Sequence, residues 1–200
     1  MSLKTINIEN HAYFVTSKVY YNLEIFVYNK FCQMLINNFK FYRKAKNFKL
    51  LGYVIMPNHL HTIIWPQGKN SISDIMRDFK EFTAKQIIKS LNHREALAPR
   101  PELSKYIART GLGTGSSPSK ILKCFKKGAK NINNQNYKVW QSRNWIENIF
   151  SIKFLKQKLN YIHNNPVRAK LVKKPEDYKY SSFKNYYRDE NKLIKIDKIL

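Results

Sequence analysis

The stretch YVIMPNHLHTIIWP, residues 53–66, joins two apolar runs through the short connection MPNH. The first run covers 48–57 and the second covers 60–66. Both are rich in β-branched and aromatic residues, and each is closed by a proline, so both are predicted to be strands. Because the connection is short, the two strands are expected to pair antiparallel as a hairpin.

The rest of the chain carries the patterns of further strands and helices. Strands are indicated by β-branched and aromatic composition, and helices by apolar residues at spacings of three and four. The predicted elements are, in order, a strand at 11–21, a helix at 23–42, the hairpin, a helix at 73–92, a candidate short strand at 136–140 and a helix at 151–165. This order predicts an α+β fold with a ferredoxin-like antiparallel sheet and helices packed on one face.

Local signals predict where two of the helices begin or end. Ser71 and Asp74 have the spacing of a capping box, which supports the helix predicted at 73–92. Pro166 predicts that the last helix ends at or just before Asn165, since the residue before a proline disfavours the helical conformation.

We expect one domain over residues 1–200, with an insertion at about 94–136 and a basic tail at about 186–200. The insertion is rich in Gly, Pro, Ser and Asn, and a short basic helix is predicted near its end, at about 120–130. It contains GLGTGS, which superficially resembles a phosphate-binding loop. This piece does not follow a strand and lacks the GKS/T ending, so a flexible loop is the better interpretation.

Charge indicates the class of partner. The chain has 37 Lys and Arg against 13 Asp and Glu, a net charge of +24, which attracts polyanions. Nucleic acid is the first candidate and an anionic membrane surface the second, although no apolar run is long enough to span a bilayer. No secretory signal is visible, and Cys32 and Cys124 form no metal motif. We therefore expect a cytoplasmic protein with reduced thiols.

His59 and His61 stand two residues apart in the second predicted strand of the hairpin. Residues i and i+2 of a strand point to the same face, so the two imidazoles are expected side by side, with Leu60 facing the opposite way. Two neutral imidazoles can provide two ligands of a metal site. The alternative is two unrelated histidines beside a turn.

Tyr161 and Asn165 lie four residues apart in the last predicted helix, and therefore one turn apart on one face. An amide oxygen there could complete a metal site, and the phenol beside it could be a nucleophile. The alternative makes Tyr161 a core aromatic residue and Asn165 a helix C-cap.

The ordered blocks YVIMPNHLHTIIWP, FKEFTAK, VWQSRNWIENI, YIHNNPVRAKLV and DYKYSSF resemble those of the REP-associated tyrosine transposases, which are single-tyrosine HUH transposases. The resemblance runs from about residue 10 to 185 and is broken by the insertion. It departs from the family pattern at Lys170, where a glycine is usual. It also departs after Trp145, where Asp-His is usual and this chain has Ile146, Glu147 and Asn148, so a histidine is missing there.

The resemblance implies a metal-assisted transposase that cleaves and rejoins single-stranded DNA, with hairpin (REP-like) DNA as the target. By position, Tyr161 is the nucleophile that forms a 5′-phosphotyrosine, and His59, His61 and Asn165 bind a divalent metal, Mg²⁺ or Mn²⁺. No nucleotide cofactor is expected, and the protein is expected to act at the bacterial nucleoid as a monomer or homodimer. Candidate DNA-binding residues are Lys80, Lys85, Lys123, Lys126, Lys127 and Arg168.

Two other functions remain open. One is a non-catalytic, domesticated nucleic-acid-binding protein, which would bind DNA tightly without cleaving it. The other is a metal-dependent hydrolase that activates water. Such a hydrolase would favour a carboxylate base and more acidic ligands, and acidic residues are scarce near the motifs.

Overall fold

A four-stranded antiparallel sheet forms the centre of the protein. The computed structural model describes residues 11–93, 97–110, 117–129, 135–190 and 193–199. The strand order is β2-β3-β1-β4, as in ferredoxin-like folds. The strands are β1 (Ala12–Lys18), β2 (Phe48–Ile55), β3 (His59–Pro66) and β4 (Trp145–Ile149). The predicted α+β class, the antiparallel sheet and the hairpin are therefore confirmed.

Helices cover the sheet, and none in the described ranges combines the length and apolar character needed to cross a bilayer. Single 3₁₀ turns occur at Tyr20–Asn22, Ile25–Val27, Pro101–Leu103 and Pro175–Asp177. The α-helices are α1 (Asn29–Ala45), α2 (Ile72–Asn92), α3 (Ser104–Thr110), α4 (Pro118–Ala129), α5 (Ile152–Arg168) and α6 (Phe183–Tyr187).

Two crossover connections place α1 and α2 on one side of the sheet. The chain passes from β1 through α1 to the parallel strand β2, and from β3 through α2 to the parallel strand β4. Such crossovers are right-handed, which puts both helices in one layer. The rings of Phe39 in α1 and Phe79 in α2 stack at 4.3 Å, as expected for neighbouring helices.

Helix α5 packs against the opposite face of the sheet. Gly52 of β2 permits its close approach, because a Cβ at this position would lie 2.8 Å from Leu159 and 2.9 Å from Ile162 of α5. Both faces of the central strands are buried: Tyr13 and Leu60 face α1 and α2, and Phe14 and His61 face α5. The sheet thus has helices on each side, in addition to the single helical layer expected from the sequence.

The capping box predicted for α2 is present. The Asp74 N–H donates to the Ser71 hydroxyl at 3.1 Å, and the Ser71 N–H donates to the Asp74 carboxylate at 3.2 Å. The first helix begins later than predicted. Residues Ile25–Val27 form a 3₁₀ turn, and the preceding Tyr21 and Asn22 have positive φ, so the chain changes direction before α1 begins.

The fourth strand lies later in the chain than predicted. Residues 136–140 make a single bridge, between Trp140 and Val19, and the strand that completes the sheet is β4. Its residues pair with β1 from Ala12 to Thr16. As an edge strand it does not show a regular alternation of buried and exposed residues, and the Trp145 side chain is exposed.

Pro166 does not end α5, contrary to the sequence prediction. The helix continues to Arg168, and Ala169 is its C-cap. The proline falls in the last turn, where its missing N–H removes one hydrogen bond, and its side chain is buried. Asn165 therefore keeps a helical backbone, so it remains one turn from Tyr161.

The region predicted as an insertion contains α3 and α4, and GLGTGS lies outside the described residues. Arg100 enters the core with a fully buried side chain, and its guanidinium donates to the carbonyls of Phe26 and Ile55 at 3.3 and 3.2 Å. The predicted basic helix is confirmed as α4. Its buried residues Ile121 and Phe125 leave the lysines at the surface.

The C-terminal region lies along the outer edge of β2. The Ile55 N–H donates to the Tyr180 carbonyl at 2.9 Å, and the Asp197 N–H donates to the Leu50 carbonyl at 3.0 Å. Ile194 is buried. The part of the predicted tail that the structure describes at 193–199 is thus packed against the fold.

Candidate active site

One row of residues crosses the sheet on the face covered by α5. The strand register places Val54, His61, Thr16 and Trp145 side by side on β2, β3, β1 and β4. His59 lies two residues before His61 and shares this face, as the sequence predicts. The hairpin and the neighbouring strand β1 therefore position both histidines on rigid elements.

The two imidazoles point their Nε2 atoms at each other across 3.1 Å. The Nδ1 atom of His59 lies 2.6 Å from the Asn58 side-chain oxygen, and the Nδ1 atom of His61 lies 2.8 Å from the Thr16 hydroxyl. An amide oxygen only accepts hydrogen bonds, so a proton on Nδ1 of His59 satisfies this contact and leaves a lone pair on its Nε2. Thr16 can accept from His61 in the same way, which would leave two converging lone pairs.

Burial keeps both imidazoles neutral. Burial, and after it the positive charge of Lys18, lowers the pKa of His59 to about 4. Burial also lowers the pKa of His61 to about 3, with smaller effects from His59, Lys18 and Lys158. Near neutral pH neither ring is protonated at both nitrogens, which is the state that a metal ligand requires.

The spacing of the two Nε2 atoms fits a divalent cation. Two ligands at adjacent vertices around a cation, each about 2.1 Å from it, are about 3 Å apart. Within the described ranges, no group of three or more His, Cys, Asp or Glu side chains could hold a metal. An amide oxygen such as that of Asn165 has the chemistry of a further ligand.

Tyr161 lies directly beside the histidine pair. Its ring centroid is 5.4 Å from that of His61 and 5.9 Å from that of Phe14, with edge-to-face geometry in both contacts. Phe14 in turn stacks on His61 at 5.3 Å. The Tyr161 side chain is 36% exposed, so it is not a core aromatic residue but lies at the mouth of the site.

Charged side chains surround Tyr161 on α5. Lys158, one turn before it, forms an ion pair with Glu147 of β4 and has its ammonium 4.6 Å from the Phe14 ring centroid. The guanidinium carbon of Arg168 is 5.5 Å from the Tyr161 ring centroid. Burial alone would raise the pKa of Glu147, but hydrogen bonds from Lys158 and Trp145 outweigh it and lower that pKa.

Asn165 is half-buried on α5, one turn after Tyr161. Because Ala169 caps the helix, the interpretation of Asn165 as a C-cap is wrong. Among the described residues, no hydrogen bond links the Asn165 side chain to either histidine. Its role as a metal ligand stays a prediction.

The predicted DNA-binding residues lie in three places: at the candidate site, on α4 and on α2. Arg168 lies at the site, whereas Lys123, Lys126 and Lys127 project from α4, which packs in the layer of α2. Lys85 forms an exposed ion pair with Glu81. Lys80 donates to the Gln141 carbonyl at 2.7 Å and lies 3.3 Å from the Asn144 side-chain oxygen, so its ammonium holds the segment that leads into β4.

Several residues of the site were not predicted from the sequence. Thr16, Asn58 and Phe14 surround the imidazoles, and Glu147 and Lys158 form the ion pair beside Tyr161. Two signals in the sequence could have identified some of them. Asn58 directly precedes His59, and Lys158 is three residues before Tyr161, on the same helical face.

Comparison with known proteins gives one family match and similar solved structures. Residues 7–103 match the family described as "Transposase IS200 like". The chain is also similar to the solved structure of a REP-associated tyrosine transposase bound to a REP hairpin. In that comparison the identity is 19%, the TM-score is 0.58, and 92% of this chain and 82% of that chain are covered.

A second solved structure, a candidate transposase from Deinococcus radiodurans R1, shows 12% identity and a TM-score of 0.43. The alignment covers 82% of this chain and 97% of the other chain. No protein of curated function matches the chain significantly. The resemblance predicted from the sequence is therefore confirmed: residues 7–103 match the IS200-like transposase family, and the chain as a whole shares the fold of that REP-associated tyrosine transposase.

Proposed function

We propose that this protein cleaves and rejoins single-stranded DNA with Tyr161 as the nucleophile. The observation that carries the proposal is the contact between the partly exposed Tyr161 ring and His61, whose Nε2 atom converges with that of His59. The residues come from elements that are about half the chain apart, and the fold brings them together at a solvent-accessible position.

In this reaction the phenol oxygen of Tyr161 attacks the scissile phosphorus. A bond forms between the tyrosine oxygen and phosphorus, and the bond from phosphorus to the 3′ oxygen breaks. The phenol loses its proton, and the departing 3′ oxygen gains one. The products are a 5′-phosphotyrosine and a free 3′-hydroxyl, and attack by a 3′-hydroxyl on the phosphotyrosine rejoins the strand. The covalent bond conserves the phosphodiester energy, so no nucleotide cofactor is needed.

His59 and His61 would hold a divalent cation, Mg²⁺ or Mn²⁺, through their Nε2 atoms, with the Asn165 amide oxygen as the third protein ligand. When bound, such a cation polarises and orients a phosphate. Asn58 and Thr16 fix the orientation of the two rings by engaging their Nδ1 atoms. Neutral imidazoles at neutral pH fit this role.

Positive charge at the site would bind the DNA backbone. Lys18 pairs across the strands with His59, and Arg168 lies beside the Tyr161 ring. The net charge of +24 adds a long-range attraction for DNA that depends strongly on salt. The likeness to a transposase bound to a REP hairpin supports hairpin DNA as the substrate.

The geometry gives less support to the two alternatives. A hydrolase of this kind would use a carboxylate base to activate water, and Glu147, the carboxylate beside the site, is engaged by Lys158 and Trp145. Those contacts lower its pKa and weaken it as a base. A non-catalytic DNA-binding protein would not require a tyrosine beside two converging imidazoles.

A covalent-adduct assay tests the proposal. Labelled single strands from the DNA flanking the gene are mixed with the protein in Mn²⁺ or EDTA and separated on denaturing gels. We expect a slowly migrating protein–DNA band in Mn²⁺ that is absent in EDTA and in Tyr161→Phe. Tyr187→Phe is the matched control, because Tyr187 is an exposed tyrosine on α6.

An adduct formed by Tyr161→Phe would show that another residue is the nucleophile. Salt-sensitive binding without any adduct, in a preparation that binds Mn²⁺, would favour the non-catalytic DNA-binding protein. Metal-dependent cleavage without an adduct would favour the hydrolase.

A further inference from the structure

Trp145 presents a large aromatic surface to solvent at the edge of the site. It is 61% exposed and occupies the β4 position of the row that contains His61 and Thr16. An exposed indole presents a flat aromatic face on which another ring can stack. In a strongly basic protein, an aromatic ring in such a position suits an unstacked nucleobase.

The indole is held in place before any ligand binds. Its Nε1–H donates to the Glu147 carboxylate at 2.6 Å, and the same carboxylate forms the ion pair with Lys158 of α5. The ring is thereby linked to the helix that carries Tyr161. A side chain fixed in this way loses little conformational entropy when a base stacks on it.

The distance between Trp145 and the histidines suits one strand of nucleic acid. Trp145 and His61 flank Thr16 on its two neighbouring strands, so their backbones are two strand spacings apart, or about 10 Å. Both side chains project from the same face of the sheet. A nucleotide with its phosphate at the histidine pair could therefore have a neighbouring base over Trp145.

We propose that Trp145 is a stacking platform for an unpaired base close to the scissile phosphate. This inference rests on the proposed function, because it takes single-stranded DNA as the ligand. The indole N–H is already used by Glu147, so recognition is through the ring face rather than through hydrogen bonds. The platform should accept any base and should favour purines, which offer the larger stacking surface.

The test separates base stacking from phosphate binding. The probes are a short oligodeoxyadenylate and the same strand with every base removed, which carries the same phosphates. Binding of both is measured by fluorescence anisotropy at fixed salt, with Tyr161→Phe as the background to prevent cleavage. We expect the strand with bases to bind more tightly than the strand without them, and we call the ratio of their affinities the base advantage. Trp145→Ala should reduce this ratio by about five- to hundredfold.

Two further variants serve as controls. Phe41→Ala removes an equally exposed ring from α1, on the other side of the sheet, and should leave the advantage unchanged. Trp145→Phe should retain part of it. Circular dichroism verifies that each variant is folded.

The outcomes distinguish this inference from the proposed function. The proteins could bind both strands in a salt-sensitive way while Trp145→Ala keeps the full base advantage. The stacking proposal would then be wrong, and the proposed function would still stand. If no variant binds either strand at any salt concentration, the proposed function fails, and the platform fails with it.

Discussion

Two buried histidine sites on the same side of the sheet have similar electrostatics and different surroundings. Burial lowers the pKa of His61 to about 3 and that of His163 to about 4. His163 is on α5, two residues after Tyr161, yet its Nε2 atom bonds the Ser182 hydroxyl at 2.9 Å. That hydroxyl also bonds the backbone N–H of Tyr53 at 3.0 Å, which ties α5 to β2 and the C-terminal region.

The comparison shows that a perturbed pKa does not identify a functional group by itself. His61 faces a second imidazole nitrogen and a partly exposed phenol, so its environment is open to a ligand. His163 faces a serine and three aromatic rings, from Phe183, Tyr186 and Tyr187. Its surroundings indicate a structural role.

The largest expected effect is on adduct formation, which should depend on His61 and not on His163. His61→Ala, like His59→Ala, should reduce adduct formation by about a hundredfold or more, since each removes one of two converging nitrogen ligands. His163→Ala, although closer to Tyr161 in the sequence, should keep substantial activity. Adduct formation per mole of folded protein in Mn²⁺ measures both.

Isothermal titration calorimetry with Mn²⁺ provides a readout that does not depend on DNA. Binding should be lost in His61→Ala and retained in His163→Ala. Equal Mn²⁺ affinity in the wild type and His61→Ala would remove His61 from the metal site.

An intermediate effect is expected on the pH dependence of stability. The folded pKa of His163 is about 4, below the ordinary 6.5, so the unfolded chain binds its proton more readily. Stability is therefore full above about pH 6.5 and is lost as the pH falls towards 4, by about 3 kcal/mol from this residue. His163→Gln should remove that contribution and flatten the curve.

Urea unfolding at several pH values between 7 and 4 measures this change. His59 and His61 titrate in the same window, so the variant should still lose some stability on acidification. Identical pH profiles for wild type and His163→Gln would mean that His163 is protonated equally in the folded and unfolded chains.

The smallest effect extends the comparison to two lysines of α2. Lys80 donates to the Gln141 carbonyl, and burial, followed by the charge of Lys138, lowers its pKa to about 8. Lys80→Met should cost about 1 kcal/mol, since the half-buried Gln141 carbonyl loses its donor. Lys85→Ala should leave the unfolding midpoint unchanged, because its ion pair with Glu81 is exposed.

The variants of Lys80 and Lys85 also distinguish a structural lysine from a DNA-binding one. Under the phosphate-contact prediction, Lys85→Ala weakens binding of single strands and reduces its salt dependence. An unchanged salt dependence would assign Lys85 to the solvated surface.

The elements with strong local signals were predicted well from the sequence. The hairpin has two β-rich runs around a short connection, and α2 has a capping box and a helical period. β4 was missed because WIENI has no alternating apolar pattern, and its pairing with β1 depends on residues far away in the chain. The end of α5 was misplaced because packing of Pro166 outweighed its local preference.

The placement of the two histidines was also predicted from a local pattern. The spacing of His59 and His61 within one strand puts them on one face, and this holds in any fold that keeps the strand. Thr16 and Glu147 come from other strands, and only the register of the sheet brings them to the imidazoles and to Lys158. Tyr161 and Asn165 were singled out by their spacing on one helix, whereas the role of Tyr161 as nucleophile came from the family resemblance and stays a prediction.

The covering of β2 by the C-terminal region affects how molecules of this protein could associate. Exposed strand edges are templates for pairing with another chain. The backbone groups at Leu50, Tyr53 and Ile55 are already bonded to residues of the same molecule. In the described part of the chain, growth of the sheet across two copies would therefore begin at β4, the strand that carries Trp145.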